Sequence, residues 1–183
     1  MSAPVLVLLA HPELRHSRIC RRLAQEARSR PEVEVRDLYA LWPDYVIDVE
    51  AEQRAVEAAA RLVWLHPVQW YSMPALMKLW LDEVLLPGWA HGRGGRALQG
   101  KELWPVLSTG GHARDYRPGG RHGHDFADFL RPYERVAALC GMRWRAPMVL
   151  HGAASIDDAA LAVHAREFVH RLTAPVPAGP RGD

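Results

Sequence analysis

Short apolar runs alternate with stretches of helical period along the whole chain, the pattern of a parallel sheet covered by helices on both faces. Pro4 to Ala10 is apolar without interruption and reads as a fully buried first strand. From Ser17 the period changes: Ile19, Leu23, Ala24 and Ala27 share one helical face, with Ser17 as its N-cap. Val33 to Leu38 alternates as a second strand. A loop with Pro43 and an alanine-rich helix over 51–60 follow, then Arg61 to His66 as a third strand. Ser72-Met73-Pro74 opens the strongest helical pattern, a Ser cap followed by Met73, Leu76, Met77, Trp80, Leu81, Val84 and Leu85, ended by Pro87 and Gly88. That stripe suits the core, or a subunit interface if Trp80 stands half exposed.

A glycine-rich loop over 88–100 leads to a fourth strand at 102–108, and the loop 109–123 precedes a helix that ends near Gly141. Arg143 to His151 contains Pro147, which fits only an edge strand. Ser155-x-x-Asp158 reads as a capping box for a last helix running to Leu172. Residues 173–183, rich in Pro and Gly, read as a disordered tail, which leaves 1–172 as one domain. Five strands joined by helices wind into one α/β sheet. No GxGxxG follows the first strand, which favours the order 2-1-3-4-5. In such a sheet ligands bind at the carboxyl ends of the strands, so the loops after strands one, three and four are where chemistry belongs.

With 183 residues, 49% of them apolar and 24% charged, the chain has ordinary globular composition. Lys and Arg total 23 against 21 Asp and Glu, and the arginines are scattered, so a nucleic-acid binder is excluded. No apolar run reaches the ~20 residues of a membrane span. The opening run is too short for a signal peptide and meets His11-Pro12, and two cysteines, Cys20 and Cys140, make no framework. The expectation is a cytoplasmic protein with reduced thiols.

The first loop runs from His11 through Ser17, Arg18, Ile19 and Cys20. A helix start with free N–H groups and a serine hydroxyl binds phosphate well, although a capped helix without a ligand explains it equally. The third-strand loop, His66-Pro67-Val68-Gln69-Trp70-Tyr71-Ser72, offers two aromatics and an amide to a flat heterocycle. The fourth-strand loop is Ser108-Thr109-Gly110-Gly111, with Tyr116 and His122 beyond it; paired glycines let backbone approach a ligand closely.

Taken together, AHP, HPVQWYSMP and STGG resemble the motifs of the flavodoxin-like NAD(P)H:quinone oxidoreductases. A closer likeness, over residues 5–172, is to the ancillary proteins of the Kef glutathione-gated potassium efflux systems. It is carried further by Asp37-Leu38-Tyr39, Trp42-Pro43-Asp44-Tyr45-x-Ile47-Asp48, Glu52-Gln53, Leu79-Trp80-Leu81-Asp82 and Gly88-Trp89-Ala90. The resemblance implies a flavodoxin-like, doubly wound, five-stranded parallel sheet binding FMN. His11 and Ser17 to Cys20 would hold the phosphate. Val68, Gln69, Trp70 and Tyr71 would line the isoalloxazine edge, with Ser108, Thr109, Gly110 and Gly111 on its other side. Tyr116 and His122 would stabilise charge during hydride transfer. It also implies NADPH or NADH as reductant, a quinone acceptor, a homodimer and a Kef-type antiporter at the inner face of the membrane. The family pattern has Asn where Cys20 stands.

Other signals are weaker. Gly95-x-x-x-x-Gly100-Lys101 lacks the Ser or Thr of a nucleotide P-loop and precedes a strand instead of following one. His112, His122, His124 and Asp125 read as chance neighbours, not metal ligands. Arg114, Arg117 and Arg121 either clasp the 2′-phosphate of NADPH or face water, the second slightly favoured. Two functions follow from these readings: a ping-pong NAD(P)H:quinone oxidoreductase that also activates an antiporter, or a purely regulatory binding module. An electron-carrying flavodoxin fits poorly, because such carriers are strongly acidic.

Overall fold

In the computed structural model, which describes residues 5–176, the first apolar run becomes β1 (Val5–Leu9), buried throughout. Then come α1 (Arg18–Arg28), β2 (Val33–Asp37), the single turn α2 (Leu38–Leu41), α3 (Val49–Ala58), β3 (Arg61–Pro67) and α4 (Ala75–Val84). The remainder is β4 (Glu102–Ser108), α5 (Arg131–Leu139), β5 (Arg143–Trp144), β6 (Met148–Leu150) and α6 (Asp158–Thr173). Every ladder is parallel, and the order is β2-β1-β3-β4-β5, with β6 also on β4. Pro4 and residues 177–183 of the expected tail lie outside the described residues.

The expected fifth strand is split. β5 pairs Glu102 with Arg143 and β6 pairs Val106 with Met148, so four steps along β4 face five along the edge. Pro147, which has no N–H to give a ladder, falls in the extra step.

Alternation on the central strands builds two cores. Leu6, Leu8, Leu62, Trp64, Leu103 and Leu107 face α3, α4 and α5, while Val7, Leu9, Val63, Leu65, Trp104 and Val106 face α1 and α6. Because both faces are covered, these strands read as continuous apolar runs. Trp80 is wholly buried in the first core, which assigns the α4 stripe to packing and not to an interface.

Two expected caps are corrected. Ser72 does not cap α4; Pro74 stands at that position, and Ser72 is taken up in a tight turn with Gln69. α6 is capped by Asp157, whose carboxylate accepts from the Ala160 N–H at 2.7 Å, while Ser155 donates to the Gly152 carbonyl. Ser17 does cap α1, accepting from the Cys20 N–H at 3.1 Å.

Among the described residues three charged side chains are buried, Arg61, Glu102 and Glu52, and all are engaged. Arg61 donates to Glu102 at 2.6 Å and to the Leu172 carbonyl at 2.6 Å, closing the end of α6. Glu52 accepts from Arg36 and from the indoles of Trp42 and Trp80. Lys101 is spent on the carbonyls of Glu57 and Ala59, a strand-start anchor with no phosphate role. No helix among the described residues is long and apolar enough to cross a membrane.

Candidate functional site

At the carboxyl ends of β1, β3 and β4 lies a pocket of about 300 Å³. Its floor is set by the start of α1. Ser17 orients the first turn, and the N–H groups of Arg18 and Ile19 have no preceding turn to bond to, so they stay available to an anion. His11, His16 and Ser17 ring the same end. Burial lowers the His11 pKa, and the carboxylates of Glu13 and Asp37 pull it the other way. The Arg18 side chain is directed elsewhere: it donates to the Ile156 carbonyl and to Asp158, both at 2.6 Å. Cys20 does not line the pocket through its side chain. Its thiol is buried in the second core, 4.0 Å from the Ser108 hydroxyl, and burial pushes its pKa up to about 11.

The β3 loop holds the opposite wall. Val68 lines the pocket and donates to the Ser108 carbonyl at 2.8 Å. Gln69 and Ser72 exchange two backbone hydrogen bonds, closing a two-residue turn whose central residues have positive φ: Trp70 at 48° and Tyr71 at 65°. Asn and Gly usually fill such a turn. Two bulky aromatics there carry backbone strain of about 1–3 kcal/mol each. Gln69 is exposed, and Trp70 is 95% exposed at the tip. Tyr71 turns back, stacking on Phe129 at 5.2 Å and meeting His122 edge-on at 5.6 Å.

On the β4 side, Ser108, Thr109 and Gly110 line the pocket, and Gly110 leaves open space where a Cβ would stand. Gly111 lets the rings come close: a Cβ there would lie 3.0 Å from His122 Nε2 and 3.4 Å from the Tyr116 hydroxyl, so both rings would have to give way slightly. Tyr116 and His122 lie nearly parallel, ring centroids 4.3 Å apart and planes 22° apart.

Sequence reasoning missed His151 and Ala153, which follow β6. Thr109 donates its hydroxyl proton to the Gly111 carbonyl at 2.8 Å, so its oxygen accepts from His151 Nδ1 at 2.9 Å and fixes the His151 proton there. His151 also packs 5.2 Å from Tyr116, and Ala153 lines the pocket while donating to the Thr109 carbonyl. The signal was available: a residue directly after the last parallel strand sits on the same rim.

The arrangement fits a flat heterocycle with a phosphate tail. An open helix end with a hydroxyl and two imidazoles suits the phosphate, backbone without side chain at Gly110 admits a ring, and Tyr71, Tyr116 and His122 form an aromatic flank. FMN is such a molecule.

Known proteins share the sequence pattern and the fold. The family described by a flavodoxin-like fold matches residues 3–172. The glutathione-regulated potassium-efflux system ancillary protein KefF of Salmonella typhimurium is 42% identical over 170 residues, covering 93% of this chain and 96% of that protein. The general stress protein 14 of Treponema denticola, solved in complex with FMN, superimposes with a TM-score of 0.88 at 37% identity, over 93% of this chain and 98% of that one. An NADPH-quinone reductase from P. pentosaceus does so with a TM-score of 0.85 at 27% identity, over 93% and 98%. The chain therefore belongs to the flavodoxin-like fold family, as a relative of the KefF ancillary proteins.

Proposed function

We propose that this chain is an FMN-dependent NAD(P)H:quinone oxidoreductase that works by a ping-pong mechanism, as a homodimer, and attends a Kef-type K⁺/H⁺ antiporter at the inner face of the membrane. The observation that carries the reading is the stacked Tyr116–His122 pair against Gly111, the residue next to Gly110, where the lining of the pocket headed by the open end of α1 stops on the β4 side. The KefF identity supports the antiporter, and the FMN complex and quinone reductase among similar structures support the chemistry.

FMN, when bound, supplies hydride acceptance from the nicotinamide and hydride return to a quinone. The chain supplies orientation and charge stabilisation. The N–H groups of Arg18 and Ile19, with Ser17 and His11, would hold the phosphate dianion. Val68 and the segment Ser108–Gly110, on two loops locked together by the Val68–Ser108 backbone bond, would hold the ring. The Tyr116 hydroxyl and His122 Nε2, both within 3.4 Å of the Gly111 Cβ direction, present donors where oxygen charge builds. His122 Nδ1 lies 3.4 Å from the Tyr71 hydroxyl, which holds the ring's orientation.

Protein reconstituted with FMN is expected to be yellow and to oxidise NADPH or NADH only when a quinone is present. Tyr116→Phe and His122→Gln lower turnover more than flavin retention. A colourless protein that still restores antiport would replace this reading with a purely regulatory one.

A further inference from the structure

Three guanidinium groups, Arg114, Arg117 and Arg121, stand in one short loop, all exposed and without a hydrogen bond or ion pair among the described residues. Elsewhere some surface arginines are paired, as in Arg22–Glu26, Arg28–Asp37 and Arg131–Asp128, while Arg93, Arg96, Arg135 and Arg166 also stand exposed without a partner among the described residues; what sets these three apart is that they share one loop. The nearby acids do not answer these three. Asp115 accepts from the His112 N–H at 2.8 Å, Asp128 serves Arg131, and Asp125 pairs with none of them.

The loop is compact. His122 donates its N–H to the Asp115 carbonyl at 2.9 Å, and Gly120 donates to Arg117 at 2.9 Å. A Cβ on Gly120 would stand 2.7 Å from the Asp115 carbonyl oxygen and 3.0 Å from that of Arg114, so the backbone beside Arg121 is pressed onto the backbone of Arg114. Three long cationic side chains rooted on so compact a backbone repel one another wherever they converge, and an anion arriving among them relieves that repulsion.

The same loop carries Tyr116 and His122. A hydride donor whose nicotinamide met that pair would have the three arginines of the same loop within the span of its adenylate half. Planar guanidinium binds a phosphate monoester through paired N–H donors, which a hydroxyl cannot match. We propose that Arg114, Arg117 and Arg121 clasp the 2′-phosphate of NADPH, making NADPH the preferred reductant over NADH. The inference rests on the oxidoreductase reading above.

The test is calorimetric titration of the purified protein, with FMN in excess, using adenosine 2′,5′-bisphosphate and adenosine 5′-monophosphate, which differ only in the 2′-phosphate. The bisphosphate is expected to bind roughly tenfold tighter or better, as charge-assisted hydrogen bonds allow, with the gap narrowing as salt is raised. In a protein carrying Arg114→Gln, Arg117→Gln and Arg121→Gln the gap closes, and kcat/KM for NADPH falls by about tenfold or more while that for NADH changes by less than about threefold. Equal binding of the two nucleotides by the unmodified protein, or a gap the triple variant keeps, overturns the clasp. Failure of the oxidoreductase reading looks different: neither NADH nor NADPH is consumed with a quinone, and the calorimetric comparison still decides the arginines' role.

Discussion

Glu52 and Trp80, twenty-eight positions apart, meet at 2.9 Å in the first core, the indole N–H donating to a carboxylate with no exposed surface. The other carboxylate oxygen takes the Trp42 indole at 2.8 Å and Arg36 at 2.7 Å. This one side chain therefore ties α3 to α4, β2 and the segment after α2. Glu52→Leu leaves two indole donors unanswered and Arg36 with only Glu34, 3.1 Å away, and the expected loss is about 3 kcal/mol in urea unfolding. A loss under about 1 kcal/mol would show that water replaces the carboxylate.

Trp70 occupies a left-handed conformation that its side chain does nothing to stabilise, since the indole is almost wholly in solvent. Trp70→Asn suits that backbone better and is expected to raise stability by about 1 kcal/mol, or roughly 2–4 °C in Tm for a chain of this size. If the strain is retained for ligand contact, quinone turnover falls in the same variant. A lowered Tm would place an unrecognised contact on the indole.

His66 is completely buried and stacks on Tyr133 at 5.8 Å; burial lowers its pKa to about 4. Unfolding restores an ordinary imidazole near 6.5, so between these values the unfolded chain binds more protons and stability rises with pH. From pH 7 to pH 5 the native state should lose about 2 kcal/mol through this group alone. Burial moves His11, His151 and His164 in the same direction. His66→Phe, measured by urea unfolding at both pH values, should flatten the slope by that amount.

Both thiols are shielded: burial raises the Cys20 pKa to about 11 and moves Cys140 upward as well. Neither should react with a disulfide reagent at neutral pH in the folded protein, and both should react in urea. Rapid labelling of one thiol in the native state would mean that its helix opens locally.

The strand order and the rim loops were readable because burial on both faces leaves uninterrupted apolar runs, and because Ser17 signals a helix start locally. Ser72 misled for a physical reason: the turn closed by Gln69 claims its backbone, which no nearest-neighbour pattern reveals. Ser155 lost its capping role to Asp157, whose charged oxygen is the better acceptor for the Ala160 N–H. Arg61 and Glu102 look like ordinary strand-end charges until the β3–β4 register sets them opposite each other. The aromatic grouping of Tyr71, Tyr116 and His122 joins parts of two loops fifty residues apart, and only the folded sheet brings them together.

The interruption at Pro147 reaches beyond local geometry. An outer strand broken into two-residue and three-residue pieces offers no continuous row of amides for another chain to zip onto, so this border is guarded against fibril-like growth. A second copy in the proposed homodimer would gain no backbone pairing at this border. Should it settle over the rim, subunit association and cofactor loading would become a single linked equilibrium, each strengthening with the concentration of the other.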